Sequence, residues 1–258
     1  MCNSISANTT NNVENVVTTV TVKHRYTKSI DTSGWLKVKL DPSNDFAFLC
    51  EYTKVIIQKI EGGRTYFLIK EGRYANNIAS LSNKNVAKCL IDCSRGTGAT
   101  LTVKKIVRKR EISIIRKQEL NQLFSELSFN GNKALITIDS DVDYKETNPL
   151  SPYHKQILHS KPLPDGTYNI LAPFTAGDRD STDYYRTDPN GYKALAYDTV
   201  WFPIEYAPTY NSNFVHVGNL SEGCITCYEI QKWNDLYHYL ISNRSDSDGK
   251  YVGKLIIG

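Results

Sequence analysis

The sequence predicts a mainly β protein with few helices, on three observations. Seventeen Tyr, many Thr and Val and a single Met favour pleated, half-buried surfaces over helical bundles. Apolar residues alternate or run in short stretches bounded by turn pairs such as Ser33-Gly34, Asp41-Pro42 and Gly62-Gly63. Helical spacing is confined to two places, a short stretch after Arg116 and a longer one after Cys227. A chain of 258 residues is long enough for two modest domains, each with its own core.

Residues 1–16, rich in Asn, Thr and Ser, read as a disordered tail. A β-rich accessory domain of unknown role is expected over residues 17–128. Its strands fall at Val16–Tyr26, Trp35–Leu40, Phe46–Tyr52, Lys54–Ile60, Thr65–Lys70, Lys84–Ile91 and Thr100–Val107. Arg116–Phe124 reads as a short connecting helix, because Leu120, Leu123, Phe124 and Leu127 share one stripe. After the turn at Asn130-Gly131, alternation over Ala134–Ile138 opens a second domain, residues 129–258. Within it, Pro164-Asp165-Gly166 leads into a strand at Thr167–Leu171, and further strands are expected near Ala194–Phe202 and Asn213–Val217. Ile230, Trp233, Leu236, Tyr237, Leu240 and Ile241 make Tyr228–Ser242 one amphipathic helix, and Tyr251–Ile257 a last strand.

Composition excludes several classes. The net charge is only +4, and the cluster Lys104, Lys105, Arg108, Lys109, Arg110 surrounds Ile106 and Val107 as a solvated strand face would. Without aromatic interleaving or a recognised motif, no nucleic-acid partner is expected. No apolar run approaches the roughly 18 residues of a membrane span, so no membrane insertion is expected. The N-terminus lacks a basic start followed by an apolar stretch, and the expectation is synthesis in the cytoplasm without a signal peptide. Cysteines stand at 2, 50, 89, 93, 224 and 227, and the C-x3-C and C-x2-C spacings admit a four-thiolate zinc site. The intervening Leu90-Ile91 and Ile225-Thr226 read as buried strand instead, so neither metal nor organic cofactor is expected. Cys50, Cys89, Cys93 and Cys227 read as small buried hydrophobes.

The richest segment is His216-Val-Gly-Asn-Leu-Ser-Glu-Gly-Cys-Ile-Thr-Cys227. It brings together a histidine, a serine, flexible glycines and a cysteine, the inventory of a thiol nucleophile with its base. Cys224 is the candidate nucleophile and His216 its general base. The amides of Gly223 and Cys224 are candidate oxyanion donors. A carbonyl near Gly218 or the Ser221 hydroxyl is the candidate third group that orients the imidazole. Arg186 and Trp201 are candidate substrate contacts.

These residues resemble the L,D-transpeptidase family, cysteine enzymes of YkuD-like fold that remodel peptidoglycan. Ala134–Asp139 is similar to the family's opening strand, and Pro162-Leu-Pro-Asp-Gly-Thr-Tyr-Asn-Ile170 to its T-P-x-G-x-Y-x-I element. A strand ending in His216 with Gly218 after it, and then Ser221-Glu-Gly-Cys-Ile225, resemble the histidine strand and the S-H-G-C-I signature. The likeness covers the C-terminal half, departs at Glu222 where the family has His, and has a short spacing of eight positions between His216 and Cys224. That compactness resembles phage members and type VI secretion effectors.

The resemblance implies a C-terminal β-sandwich and acyl transfer on peptidoglycan stem tetrapeptides, as transpeptidation, D-amino acid exchange or L,D-carboxypeptidation. It also implies action at a bacterial periplasm or wall after specialised secretion, with an immunity protein and a secretion apparatus as partners. Alternatives from other classes are a non-catalytic wall-binding or structural module and a cysteine peptidase or amidase with another substrate.

Overall fold

Alternating burial builds the first sheet. In the computed structural model, which describes residues 24–112, 117–177, 182–207 and 210–258, seven strands form it: β1 (His24–Thr27), β2 (Trp35–Asp41), β3 (Phe46–Cys50), β4 (Lys54–Glu61), β5 (Arg64–Ile69), β6 (Ile78–Ser82) and β7 (Leu90–Ile91). They lie in the order β3-β2-β6-β5-β4-β1-β7, antiparallel throughout. In β5, Thr65, Phe67 and Ile69 are buried while Arg64, Tyr66 and Leu68 lie on the other face, as a period of two dictates. Leu36, Val38, Leu49, Val55 and Phe67 form this sheet's core.

The remaining strands are β8 (Ala99–Ile112), β9 (Glu119–Phe129), β10 (Asn132–Asp139), β11 (Asp143–Lys145), β12 (Ile157–His159), β13 (Gly166–Leu171), β14 (Phe202–Glu205), β15 (Phe214–Val217), β16 (Ile225–Cys227) and β17 (Tyr251–Ile257). Apart from the small β11·β12 hairpin they close into a barrel, β10-β16-β15-β14-β13-β17-β8-β9. Two of its pairings are parallel, β15 with β16 and β17 with β8. Among the described residues there are three α-helices, α1 (Asn83–Cys89), α2 (Tyr184–Thr187) and α3 (Trp233–Ile241), the last preceded by a 3-10 turn at Ile230–Lys232. Trp233, Leu236, Tyr237, Leu240 and Ile241 of α3 join the barrel core. No helix among the described residues is long and apolar enough to cross a membrane.

The mainly β expectation holds, with four differences in detail. Of the stretch expected as a helix, residues 117–124 are not helical. They run into β9, whose buried positions are Leu120, Gln122, Phe124, Ser125, Leu127 and Phe129. The pairing of β9 with β8 and β10 shifts register beside Phe124, and this bulge changes the phase of alternation. Leu120, Phe124 and Leu127 thereby acquire four- and three-residue spacing without any helix.

Second, Asn83–Cys89 is a helix where a strand was expected. Ser82 stands in extended conformation at its N-cap position, and Lys84, Ala87 and Lys88 suit a helix better than a strand. Third, the first sheet ends at Ile91, so β8 and β9 belong to the barrel rather than to a first unit extending to residue 128, and the expected two-sheet sandwich is one closed sheet. Fourth, residues 194–201 form turns, with Tyr197 at φ 60°, and the strand begins only at Phe202. The expected tail, residues 1–16, lies outside the described residues.

Charged groups join sheet and barrel. Arg244, 2% exposed, donates to the Gly249 carbonyl from Nε and Nη2 at 2.9 and 2.7 Å and to Thr53 Oγ1 at 3.0 Å. It stands 3.6 Å from Glu71, which also receives Arg95 at 2.8 Å. Tyr237 Oη donates to Glu51 at 3.1 Å, and Ser29 occupies that carboxylate's other oxygen. Removing one member of such a buried set leaves the others uncompensated, at a cost of about 3–5 kcal/mol. Arg244→Met is therefore expected to lower stability by about that much. Urea unfolding of wild type and variant checks it, and a loss under about 1 kcal/mol would show that the junction bears little load.

Candidate functional site

The parallel pairing of β15 with β16 sets the site. Val215 faces Ile225, His216 faces Thr226 and Val217 faces Cys227. His216 and Thr226 are direct partners on one face of the pair, and Cys224 stands in the bend just before β16, two residues ahead of Thr226.

The His216 tautomer follows from its partners. Nδ1 lies 2.9 Å from the Val217 carbonyl, which can only accept, so Nδ1 carries the proton. Nε2 is then a bare lone pair, and Thr226 Oγ1, 3.2 Å away, donates to it. Trp201 stacks on the ring at 4.4 Å between centroids and 23° between planes. Burial holds the imidazole down at about 4, against a partial rise from the Val217 contact. It is neutral at physiological pH.

The thiol is equally desolvated. Cys224 is 8% exposed. Burial pushes it up to about 12, a backbone hydrogen bond at Phe214 draws it down, and the nearby negative charge of Glu222 raises it further. Among the described residues no hydrogen bond joins this thiol to His216, whose Nε2 is engaged by Thr226. The resting state is therefore a neutral thiol beside a neutral imidazole. An ion pair would need two charges in a poorly solvated site.

The other sequence-derived candidates hold the loop rather than the imidazole. Ser221 Oγ accepts from the Gly223 amide at 3.1 Å and donates to the Cys224 carbonyl at 2.7 Å, so it staples its own turn. The same bond commits the Gly223 N–H, expected as an oxyanion donor, to Ser221. Gly223 has φ +107°, and a Cβ would stand 2.5 Å from the Lys161 carbonyl, so only glycine fits. The carbonyl that meets the imidazole is that of Val217, next to Gly218. Gly218 instead admits a close approach, since a Cβ there would lie 2.9 Å from both Thr226 Cγ2 and Tyr185 Oη. Arg186, expected to meet substrate, is locked to Asp198 at 2.5 Å and Asp183 at 2.7 Å. Trp201 is placed against the base, on the wall of a groove.

Sequence reasoning missed the support behind the loop. Ser140 exchanges two bonds with Ser221, its amide donating to the Ser221 carbonyl at 2.9 Å and its hydroxyl accepting from the Ser221 amide at 2.7 Å. That hydroxyl donates to Gln122, whose Nε2 donates to the Asn219 carbonyl. Thr226 was missed too, because its place opposite His216 depends on the pairing of β15 with β16. Two hollows are lined by neighbours of His216 and Cys224. One of about 360 Å³ is lined by Trp201, Phe214, Phe174 and Pro203. The other, about 430 Å³, is lined by Tyr144, Tyr210, Lys161 and Glu222. They share Glu146 and Ser212, so the walls are continuous.

No protein-family model matches the chain, and neither a curated protein nor a solved structure is significantly similar to it.

A buried His216 held down at about 4 against an ordinary 6.5 takes up its proton more readily when unfolded. Its contribution is present above pH 6.5 and is lost as pH falls toward 4, by an amount on the order of 3 kcal/mol. The exposed His159, raised by hydrogen bonds to Asp143 and Asp141, acts in the opposite sense. The difference between wild type and His216→Gln isolates the buried group. Urea unfolding from pH 7 to pH 4 is expected to show a steeper fall for wild type, and parallel curves would contradict this account of His216.

Proposed function

We propose that the protein is a cysteine-dependent acyltransferase acting on peptide amides, with peptidoglycan stem tetrapeptides as the substrate class. One observation carries the reading: His216 Nε2, in a fixed tautomer, lies on a parallel strand pair whose second strand opens directly after Cys224, and neighbours of the two residues, Trp201 and Glu222, each line a hollow. The substrate class comes from the resemblance of residues 134–225 to the L,D-transpeptidases, as does delivery as an antibacterial effector.

Chemistry in this pair runs from neutral groups. A substrate carbonyl carbon placed over Cys224 is attacked by sulfur as the thiol proton passes to His216 Nε2, Thr226 giving up its bond to that nitrogen. The S–C bond forms, and the C–N bond then breaks as the imidazolium returns its proton to the leaving amine. A thioester remains. An acceptor amine regenerates the thiol with a new amide, and water does so with a free carboxylate. The Val217 carbonyl stabilises the imidazolium through Nδ1, the role an orienting acceptor plays in nucleophile–base pairs.

A non-catalytic reading has its own support, namely the raised thiol and the Thr226 bond that occupies Nε2. Purified protein and Cys224→Ala are to be incubated with disaccharide-tetrapeptide muropeptides, with and without a free D-amino acid, and products followed by mass spectrometry. Loss or replacement of the terminal D-alanine is expected in wild type only, with Cys224→Ala reduced at least about 10³-fold. Unchanged muropeptides from folded, reduced protein would move the assignment to a binding module. Because His216 stays neutral down to about pH 4, the rate is expected to hold through pH 6 and to fall only near 4. An acid limb centred near 6.5 would mean that another group is the base.

A further inference from the structure

A second cavity, of about 360 Å³, lies where the first sheet meets the barrel. This is at the small end of ligand sites, which span roughly 300–1,000 Å³. The first sheet side contributes Trp35, Phe48, Glu71 and Tyr74, and the barrel contributes Phe174 and Lys250. Aromatic rings from both sides and a few polar groups are the composition of a site that holds a small polar ring.

Two polar atoms in this wall lack protein hydrogen bonds. Trp35 is 6% exposed, and its Nε1–H finds no acceptor among the described residues. Glu71 is 2% exposed. Its Oε2 accepts from the Lys54 amide at 2.9 Å and from Arg95 at 2.8 Å, whereas Oε1 accepts no hydrogen bond and has the Lys54 ammonium 3.4 Å away. Gly249 lines the same cavity, and a Cβ there would stand 2.8 Å from Oε1. Glycine at 249 therefore keeps the approach to that carboxylate oxygen open. A buried donor without a partner and a buried carboxylate oxygen with an ion pair but no hydrogen bond are costly to a fold, and a ligand that supplies both hydrogen bonds lowers that cost.

We propose that this cavity binds an acetamido sugar. The acetamido group offers a carbonyl to the Trp35 Nε1–H and an N–H to Glu71 Oε1, and the C–H face of the ring lies on the aromatic wall. Phe48 and Phe174 are 47% and 48% exposed, open enough to receive it. Phe174 also lines the hollow beside Trp201 and Phe214, so the two hollows share a wall. A sugar bearing a peptide would then lie with its ring at the junction and its peptide at the thiol. That last step rests on the acyltransferase reading, whereas sugar binding does not.

Calorimetric titration of the full chain with triacetylchitotriose tests this, with cellotriose, which lacks acetamido groups, and inorganic phosphate as separate arms. Chitotriose is expected to bind and cellotriose to bind on the order of tenfold more weakly or not at all. Trp35→Phe, which keeps a ring and loses the N–H, is expected to weaken chitotriose on the order of tenfold. Tyr74→Ala, at a half-buried position, serves as the second variant should Trp35→Phe unfold, circular dichroism reporting the fold, and it is expected to weaken chitotriose as well. No heat with chitotriose at millimolar concentration, equal affinity for the two sugars, binding of phosphate alone, or full affinity in the folded variants would each overturn the proposal. Chitotriose binding without Cys224-dependent turnover of muropeptides would uphold the sugar site and sink the acyltransferase reading, so the two fail separately.

Discussion

The barrel depends on its last strand lying in parallel beside its first. β17 pairs with β8 from Gly253 opposite Ala99 to Ile257 opposite Val103, and its other edge takes β13. The approach is so close at Gly253 that a Cβ would stand 2.3 Å from the Ala99 carbonyl, leaving no room for a side chain. A strand from the end of the chain thereby joins strands that begin at residues 99 and 119 to those of the C-terminal half. Arg244 and Tyr237, just before β17, carry the same tie to the first sheet through Thr53, Glu71 and Glu51. With the ring closed, β16 is held between β15 and β10, and the parallel β15·β16 register that sets the site follows.

Burial then decides the state of the two reactive groups. Both lie where charge is poorly solvated, so each keeps its neutral form, the imidazole by losing proton affinity and the thiol by holding its proton. The loop carrying Cys224 is held by hydrogen bonds through Ser221, Ser140 and Gln122, all fully buried. Buried polar groups with their partners in place make such a loop rigid.

Much of the fold is legible along the chain wherever one face alone is buried. β5 alternates throughout and β17 from Gly253 onward, as a half-buried strand must, and α3 repeats its apolar residues at three and four. Legibility fails where pairing is irregular. The bulge in the pairing of β9 imitates a helical stripe, and the turns at 194–201 bury Leu195 and Val200 without a strand. The first sheet also ends earlier than the sequence indicates, because β8 continues the alternating pattern while pairing with the barrel.

The candidate site divides in the same way. Sequence by itself determined the chemical inventory, a cysteine after a glycine that tolerates φ above zero and a histidine closing a strand, since these depend on residue type and near neighbours. Only the tertiary structure decided who serves whom: Val217 orients the imidazole, Thr226 occupies its lone pair, Trp201 covers its face, Ser221 turns inward, and Arg186 is spent on two aspartates. The physical reason is that a hydrogen-bond partner is set by strand register and by elements from distant parts of the chain, which local spacing does not encode.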